Sequence, residues 1–427
     1  MLLEILKHRK ISDSPKGIYS VCTAHPFAIR AAMRQAASDA SPLLIEATSN
    51  QVNQFGGYTG MRPADFRRLV EDLAVTEEFP VDRLILGGDH LGPNPWRHES
   101  ADRAMTFAEE LIAEYAKAGF NKLHLDASMP CAGDPEDLPA EVVASRSARL
   151  CAAAEKSSDR KEALYVIGTE VPPPGGAKET MESMHVTRVS DAEETLQLHH
   201  RAFEERGLEN ALERVIAIVV QPGVEFNHDS VYEYRSVDSQ ALQKWLERHS
   251  PLVFEAHSTD YQRPRAYREL VNDGFAILKV GPAVTFAMRE ALFALAEIER
   301  HLVDRARQSQ LIETVESAMM SSPANWKGHY HGSPEEQRVL RMFSYSDRIR
   351  YYWNEREVRE SVNRLLKNLQ LVDVPETLLS AYMPVQYHAL REGVIAGDPL
   401  ELVLHATQQS LRPYAEACFP SFAARRQ

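Results

Sequence analysis

Short runs of consecutive apolar, β-branched residues alternate along this chain with longer stretches of amphipathic, helix-like spacing. The apolar runs predict strands over 17–23, 43–48, 84–88, 122–126, 165–170, 215–221, 252–257 and 276–281. Helical patterns lie between them at 62–73, 101–118, 140–155, 192–206 and 263–273. Strands alternating with helices predict βαβ units and a parallel sheet. The run Val215-Ile216-Ala217-Ile218-Val219-Val220 has the unbroken apolarity of a strand covered on both faces. Eight such units with no extra strand predict a closed (β/α)8 TIM barrel over an open doubly wound sheet.

The pattern changes after Phe286. Helices are expected at 287–302, 335–342, 358–369 and 400–411, with no further strand, and Pro399 suits a helix start. The expected division is a barrel over 1–306 and a helical appendage packed on it over 307–427. Within the appendage, Ser344-Tyr345-Ser346-Asp347-Arg348-Ile349-Arg350-Tyr351-Tyr352-Trp353 sets arginines among aromatics. Such a stretch lines a ligand mouth, makes a subunit contact or forms an internal packing cluster.

Composition narrows the function. The 427 residues exceed the ~250 of a plain barrel, which accounts for the extra helical region. A formal net charge of -13, with no Lys/Arg stripe to offset it, excludes a nucleic-acid binder. No uncharged apolar run approaches the ~20 residues of a membrane span, and the first ten residues carry no apolar leader with a cleavage site. The four cysteines Cys22, Cys131, Cys151 and Cys418 lie far apart in no metal-type spacing. A cytoplasmic protein is expected. No G-x-G-x-x-G follows the first strand, and Gly56-Gly57-Tyr58-Thr59-Gly60 lacks that spacing, so no dinucleotide site is expected.

Polar groups collect where the predicted strands end, which is where a barrel of this kind builds an active site. Gly87-Gly88-Asp89-His90-Leu91-Gly92-Pro93 follows the third strand, and His124-Leu125-Asp126 closes the fourth. Gly168-Thr169-Glu170, Gln221-Pro222-Gly223-Val224-Glu225 and Phe254-Glu255-Ala256-His257-Ser258-Thr259-Asp260 end the next three. Mixed imidazole and carboxylate groups at His90, Glu170, Glu225 and His257 predict a divalent metal site suited to Zn²⁺, Mn²⁺ or Mg²⁺, with His228 as a substitute for Glu225. Asp89 precedes His90, and in extended geometry the two point apart. That makes Asp89 an acid/base group beside a metal ligand. Asp126 is placed behind a ligand imidazole, and it joins Glu255 in the acid/base set. Lys279, Gly281 and Thr285 close the eighth strand and open a helix, where free N–H groups bind anions, and Ser258 and Thr259 would complete a phosphate cradle. Asn50 and Arg62, around the glycine-rich turn, add further substrate contacts.

Several of these segments resemble one family. Glu46-Ala47-Thr48-Ser49-Asn50-Gln51-Val52-Asn53-Gln54-Phe55-Gly56-Gly57-Tyr58-Thr59-Gly60 strongly resembles the GatZ/KbaZ family of tagatose-bisphosphate aldolase proteins. So do 86–94, 165–171, 219–226, 254–262, 276–285 and 344–353, nearly the whole chain. The resemblance implies a TIM barrel related to class II, metal-dependent ketose-bisphosphate aldolases. It implies that Asp89-His90 corresponds to the aldolase acid/base aspartate and its adjoining metal histidine, and 279–285 to the phosphate loop. The later aldolase ligands are histidines, whereas Glu225 and the Glu255/His257 pair stand at the comparable strand ends here.

The family carries two readings. One is a metal-dependent epimerase that interconverts D-tagatose 6-phosphate and D-fructose 6-phosphate at C4. The other is a non-catalytic subunit that supports a class II D-tagatose-1,6-bisphosphate aldolase chain. In a 2-ketose the C4–H is not acidic, so inversion without a nicotinamide requires reversible C3–C4 cleavage, stabilised by a metal on the enediolate oxygens. On that chemistry the epimerase is the first expectation and the aldolase subunit the alternative. A sugar-phosphate binding protein without turnover is the third. A phosphorylated ketohexose is the expected ligand, with a catalytic aldolase chain or a second copy of this chain as protein partners. No P-loop or kinase motif supports ATP chemistry.

Overall fold

The computed structural model describes residues 1–11, 16–158, 162–169 and 185–420. Its strands are β1 (Ile18–Cys22), β2 (Leu43–Thr48), β3 (Leu84–Leu91), β4 (Lys122–Leu125), β5 (Leu164–Ile167), β6 (Val215–Val219), β7 (Glu225–Phe226), β8 (Val231–Tyr232), β9 (Val253–Ala256) and β10 (Phe275–Val280). Eight of them close a barrel in the order β1-β10-β9-β6-β5-β4-β3-β2, and every pairing in it is parallel. With its outer helices this is the (β/α)8 TIM barrel predicted by the alternation.

The expectation of no extra strand needs correcting. β7 and β8 form a separate antiparallel ribbon just after β6. Two-residue strands are too short to show a period of two in sequence. Asn227 closes their turn, its Oδ1 accepting from the N–H groups of Asp229 at 3.0 Å and Ser230 at 2.8 Å.

Proline sets several helix starts. Pro26–Ser38, Pro63–Thr76, Pro264–Asn272, Pro282–Leu302, Pro334–Phe343, Pro384–Arg391 and Pro399–Gln409 each open on the residue whose missing N–H costs least there. Asp398 caps the last of these through the N–H groups of Leu400 and Glu401.

Two apolar cores result. One joins the barrel strands to their helices, and it includes Leu411, Tyr414, Ala415, Ala417, Cys418 and Phe419 from the end of the chain. The other gathers Met288 to Ile298 on one side of Pro282–Leu302 with the helices that follow, down to Leu402 and Val403. The helix Arg412–Cys418 therefore returns to the barrel, where Tyr414 donates to the Thr259 carbonyl at 2.9 Å. The short helices Glu376–Tyr382 and Arg412–Cys418 span about two turns, too little for a readable period. No helix among the described residues is long and apolar enough to cross a membrane.

Candidate functional site

Residues two apart on a strand share a face, so β4 presents Lys122 and His124 to the barrel interior, with Asp126 just beyond. Glu46 on β2, Glu255 on β9 and Lys279 on β10 point to the same interior, where all are buried. Lys122 Nζ lies 2.7 Å from both Glu46 Oε1 and Glu255 Oε2. Lys279 Nζ pairs with Glu46 Oε2, with Asp89 Oδ1 at 3.0 Å and with Glu255 Oε1 at 3.8 Å. Gly87 makes room for this network, because a Cβ there would collide with the Glu46 carboxylate. Burial draws the Lys279 ammonium down to about 8.

Above the network, β3 does not remain extended. Its register against β4 slips between Gly88 and Leu91, and His90 takes a left-handed φ of 47°. A positive φ is costly for a side chain with a Cβ and is retained where surrounding structure enforces it. The kink brings Asp89 and His90 together instead of pointing them apart. The His90 N–H donates to Asp89 Oδ1 at 3.0 Å and to His124 Nδ1 at 3.2 Å.

Three imidazoles thereby meet in the mouth. Ring centroids are 4.8 Å apart for His90–His257, 5.2 Å for His124–His257 and 5.3 Å for His90–His124. Asp126 Oδ2 lies 2.7 Å from His90 Nδ1, while its Oδ1 accepts from the Ser128 backbone and hydroxyl. His257 Nε2 is 3.0 Å from Glu255 Oε1.

Burial disfavours the charged form of each group, and the neighbours decide the outcome. For Asp89 and Asp126, burial is outweighed by the histidines beside them, and both stay well below the usual carboxylate range. For His90 the reverse balance holds, with Asp89 and Asp126 raising the imidazole to about 9. Burial wins at His257, which is lowered. A carboxylate held so low is a poor proton acceptor at neutral pH, and Asp89 suits an anchoring role better than a shuttle.

The arrangement fits a metal. Ligand-capable atoms of Asp89, His124, Glu255 and His257 all lie within 4.8 Å of one another. His124 Nε2 is buried and finds no hydrogen-bond partner among the described residues. An orphaned imidazole nitrogen beside two carboxylates and a second imidazole is a donor set for a divalent first-row ion.

Of the four ligands expected from sequence, His257 belongs to this group, and His90 stands against it with Asp126 behind. Glu225 lies on the β7–β8 ribbon outside the group, its Oε1 accepting from the Phe226 N–H at 3.0 Å. Glu170 lies outside the described residues. His228 is committed to the helical region, with Nε2 2.9 Å from the His329 carbonyl and Nδ1 3.2 Å from Ser344 Oγ. Sequence reasoning missed His124, Lys122 and Glu46. The signal was available for His124 and Lys122, since both share the inward face of Asp126.

The cleft above this centre encloses about 630 Å³, its opening to solvent included. Asn50, Ser258, Lys279 and Gly281 line it, as expected of substrate contacts. Thr285 lines only a smaller adjoining cavity, and its Oγ1 donates to Asp347 Oδ2 at 2.7 Å. Arg62 and Thr259 line neither: Arg62 Nε donates to the Gln54 carbonyl at 3.1 Å, and Thr259 Oγ1 to the Lys279 carbonyl at 2.5 Å. The expected phosphate loop is also internally satisfied. Asp260 Oδ1 accepts from the Gly281 N–H at 3.0 Å and the Ala283 N–H at 2.8 Å, the donors that a bound anion would use.

Burial pushes Asp260 up to about 6. Its folded pKa therefore lies above the ~3.9 of an unfolded aspartate, the folded chain holds the extra proton between those values, and stability declines as pH rises from about 4 to 6. The stability advantage of Asp260→Asn over the parent should grow across that window by on the order of 3 kcal/mol. Urea denaturation of both proteins from pH 4 to 7 reads this directly, and a constant difference would refute the raised carboxyl.

Fold and site together define a TIM barrel whose mouth carries a metal-capable cluster of histidines and carboxylates. Residues 2–419 match the family model described as D-tagatose-1,6-bisphosphate aldolase subunit GatZ/KbaZ-like, and the chain belongs to that family. Proteins named D-tagatose-1,6-bisphosphate aldolase subunit GatZ from Salmonella heidelberg (strain SL476) and Salmonella agona (strain SL483) are each 51% identical to it over 423 residues, covering 98% of this chain and 100% of theirs. A crystal structure titled as a probable tagatose 6 phosphate kinase from Sinorhizobium meliloti 1021 superposes with a TM-score of 0.87 at 49% identity, covering 94% of this chain and 100% of that one.

These relatives overturn the expectation of an isomerase. Proteins matching this chain along its length are named as subunits of an aldolase, and an aldolase subunit is not a carbohydrate epimerase.

Proposed function

We propose that this chain is an aldolase subunit of the D-tagatose-1,6-bisphosphate type, which supports a separate class II aldolase chain and keeps a metal-capable, ligand-binding barrel mouth of its own. The observation that carries the reading is the occupied anion loop. Asp260 fills the N–H groups at the start of Pro282–Leu302, and Asp347 takes Thr285 and Arg289. A bisphosphate needs two anion sites, and the one expected beside β10 already holds a carboxylate. The full-length identity to proteins named as subunits supports the same reading.

Asp89, His124, Glu255 and His257 would hold the divalent ion. Bound there, such an ion would favour negative charge on a ligand oxygen. Lys122 and Lys279 hold Glu46 and Glu255 in place, and Asp126 fixes the His90 ring through Nδ1.

The test is cleavage of D-tagatose 1,6-bisphosphate by a class II aldolase with and without this chain. The chain alone should give no cleavage. Added at equal concentration, it should raise the aldolase's rate or lengthen its half-life at 37 °C. Cleavage by the chain alone, or an aldolase unchanged by it, would overturn the proposal.

A further inference from the structure

Of the three roles its sequence left open for the stretch 344–353, a ligand mouth, a subunit contact and a packing cluster, the structure shows the first and the third. Tyr352 and Trp353 are buried in the second core, while Arg350 and Tyr351 line the cleft over the histidines. Arg350 also lines the smaller cavity beside it, so the residue stands where the two meet. Its Nη1 donates to the carbonyls of Ser346 and, at 3.1 Å, Asp347, and its Nη2 donates to Tyr351 Oη at 3.1 Å. The guanidinium lies 4.6 Å from the Tyr351 ring centroid, and that ring meets Tyr58 edge-on at 4.8 Å.

Among the described residues Arg350 has no carboxylate in direct contact, and Asp347 and Asp260 act on it only through space. The two acids nearest to hand are committed elsewhere, Asp347 to Arg289 and Thr285, and Asp260 to the start of the helix Pro282–Leu302. Arg348 adds a second guanidinium 5.7 Å from the same Tyr351 ring, held by the Asn325 carbonyl at 2.6 Å and His329 Nδ1 at 2.9 Å. Burial alone would raise the Tyr351 phenol, but Arg350 and Arg348 outweigh it and lower it. The Arg350 guanidinium thus faces a floor rich in carboxylates and imidazoles, with Arg348 buried behind the Tyr351 ring. Withdrawing a guanidinium from water without an anion to meet it is unfavourable.

We propose that Arg350, Tyr351 and Tyr58 form an anion subsite for a phosphate monoester, supplied to the barrel mouth by the C-terminal helical region. Tyr351 Oη accepts from Arg350, which leaves its own O–H to donate into the cleft. A guanidinium and two phenols are three separate donors and suit the three free oxygens of a phosphate, whereas a planar carboxylate is satisfied by the fork alone. The unphosphorylated end of the ligand then points at the histidine cluster. This subsite adjoins the Asp260-filled loop, whose Gly281 lines both cavities with Arg350, and it accounts for one anionic group, not two.

Calorimetric titration of the full chain with glycerol 3-phosphate, glycerate and glycerol tests it. Glycerol 3-phosphate should bind, glycerol should not, and Arg350→Gln should weaken glycerol 3-phosphate roughly tenfold to a hundredfold. Arg68→Gln, on an exposed helix face, should bind as the parent does. Equal affinity in Arg350→Gln would overturn the proposal, and glycerate binding as tightly as glycerol 3-phosphate would overturn the assignment to phosphate. Should Arg350→Gln not fold, phenylglyoxal labelling of the parent chain decides the matter. Glycerol 3-phosphate should protect the peptide carrying Arg350, and an unprotected peptide sinks the idea. The supporting role toward an aldolase is read on another protein's rate, so either proposal can fail without the other.

Discussion

Lys122→Met is expected to cost the fold about 3–5 kcal/mol, read as a lowered urea denaturation midpoint at pH 7. The side chain is fully buried between Glu46 and Glu255, both also fully buried, at 2.7 Å from each. Inside the barrel two ammonium groups, Lys122 and Lys279, sit among three carboxylates, Glu46, Glu255 and Asp89. Methionine matches the lysine stem in volume, so the substitution removes charge without leaving a large cavity. What remains is a surplus of buried negative charge with one ammonium to meet it, and an uncompensated buried charge is among the few causes of so large a loss. The double variant Glu46→Gln/Lys122→Met removes one carboxylate together with the lysine. It should recover on the order of 1–3 kcal/mol, because the two residues act as one unit. If Lys122→Met alone were within 1 kcal/mol of the parent, or the double variant were worse than the sum of its parts, the network would not be holding the interior together.

That network also marks what the sequence could and could not display. The barrel was legible because apolar runs such as 215–219 recur between helical patterns, and eight such runs leave few topologies. Asp89, Asp126, Glu255 and His257 were legible because a polar side chain at the end of a buried strand has few places to point except the mouth. Lys122 was hidden by habit rather than physics. A lysine opening an apolar run reads as a solvated strand end, and only the period of two from Asp126 places it inward. The kink at His90 was not legible, since nothing in Gly88-Asp89-His90 announces a register slip against β4. Glu225 follows β6 in sequence whereas Glu255 lies on β9 itself, and the two-residue ribbon that carries Glu225 aside leaves no periodic trace. Asp260 and Arg350 depended on closure across loops and across the chain. Arg350 reaches the cleft about 70 residues after the last barrel strand ends at Val280, through packing that no local pattern encodes.

Removing an imidazole from the mouth should have the other large effect, on metal affinity. Titrated with Co²⁺ after dialysis against a chelator, the chain should bind one ion with visible d–d absorption. At a free concentration of 100 times Kd, the ion should stabilise the fold by about 2.7 kcal/mol. His124→Ala and His257→Ala should each weaken binding by more than about 100-fold, because each removes a donor from the group whose ligand atoms lie within 4.8 Å of one another. His124 has the clearer case, since its Nε2 is buried with no partner among the described residues and its removal relieves that orphan. The apo form of His124→Ala should therefore lose less stability than its buried volume implies, while losing the metal. His90 differs in its surroundings. Its Nδ1 is held by Asp126 at 2.7 Å and its ring packs against His257, so His90→Ala should weaken the ion by the ~10–100-fold of a group that orients ligands. A reversed order, with His90→Ala abolishing binding and His124→Ala sparing it, would move the centre onto the histidine that follows Asp89. No shift in melting temperature with Co²⁺ or Zn²⁺ in the parent would remove the metal altogether.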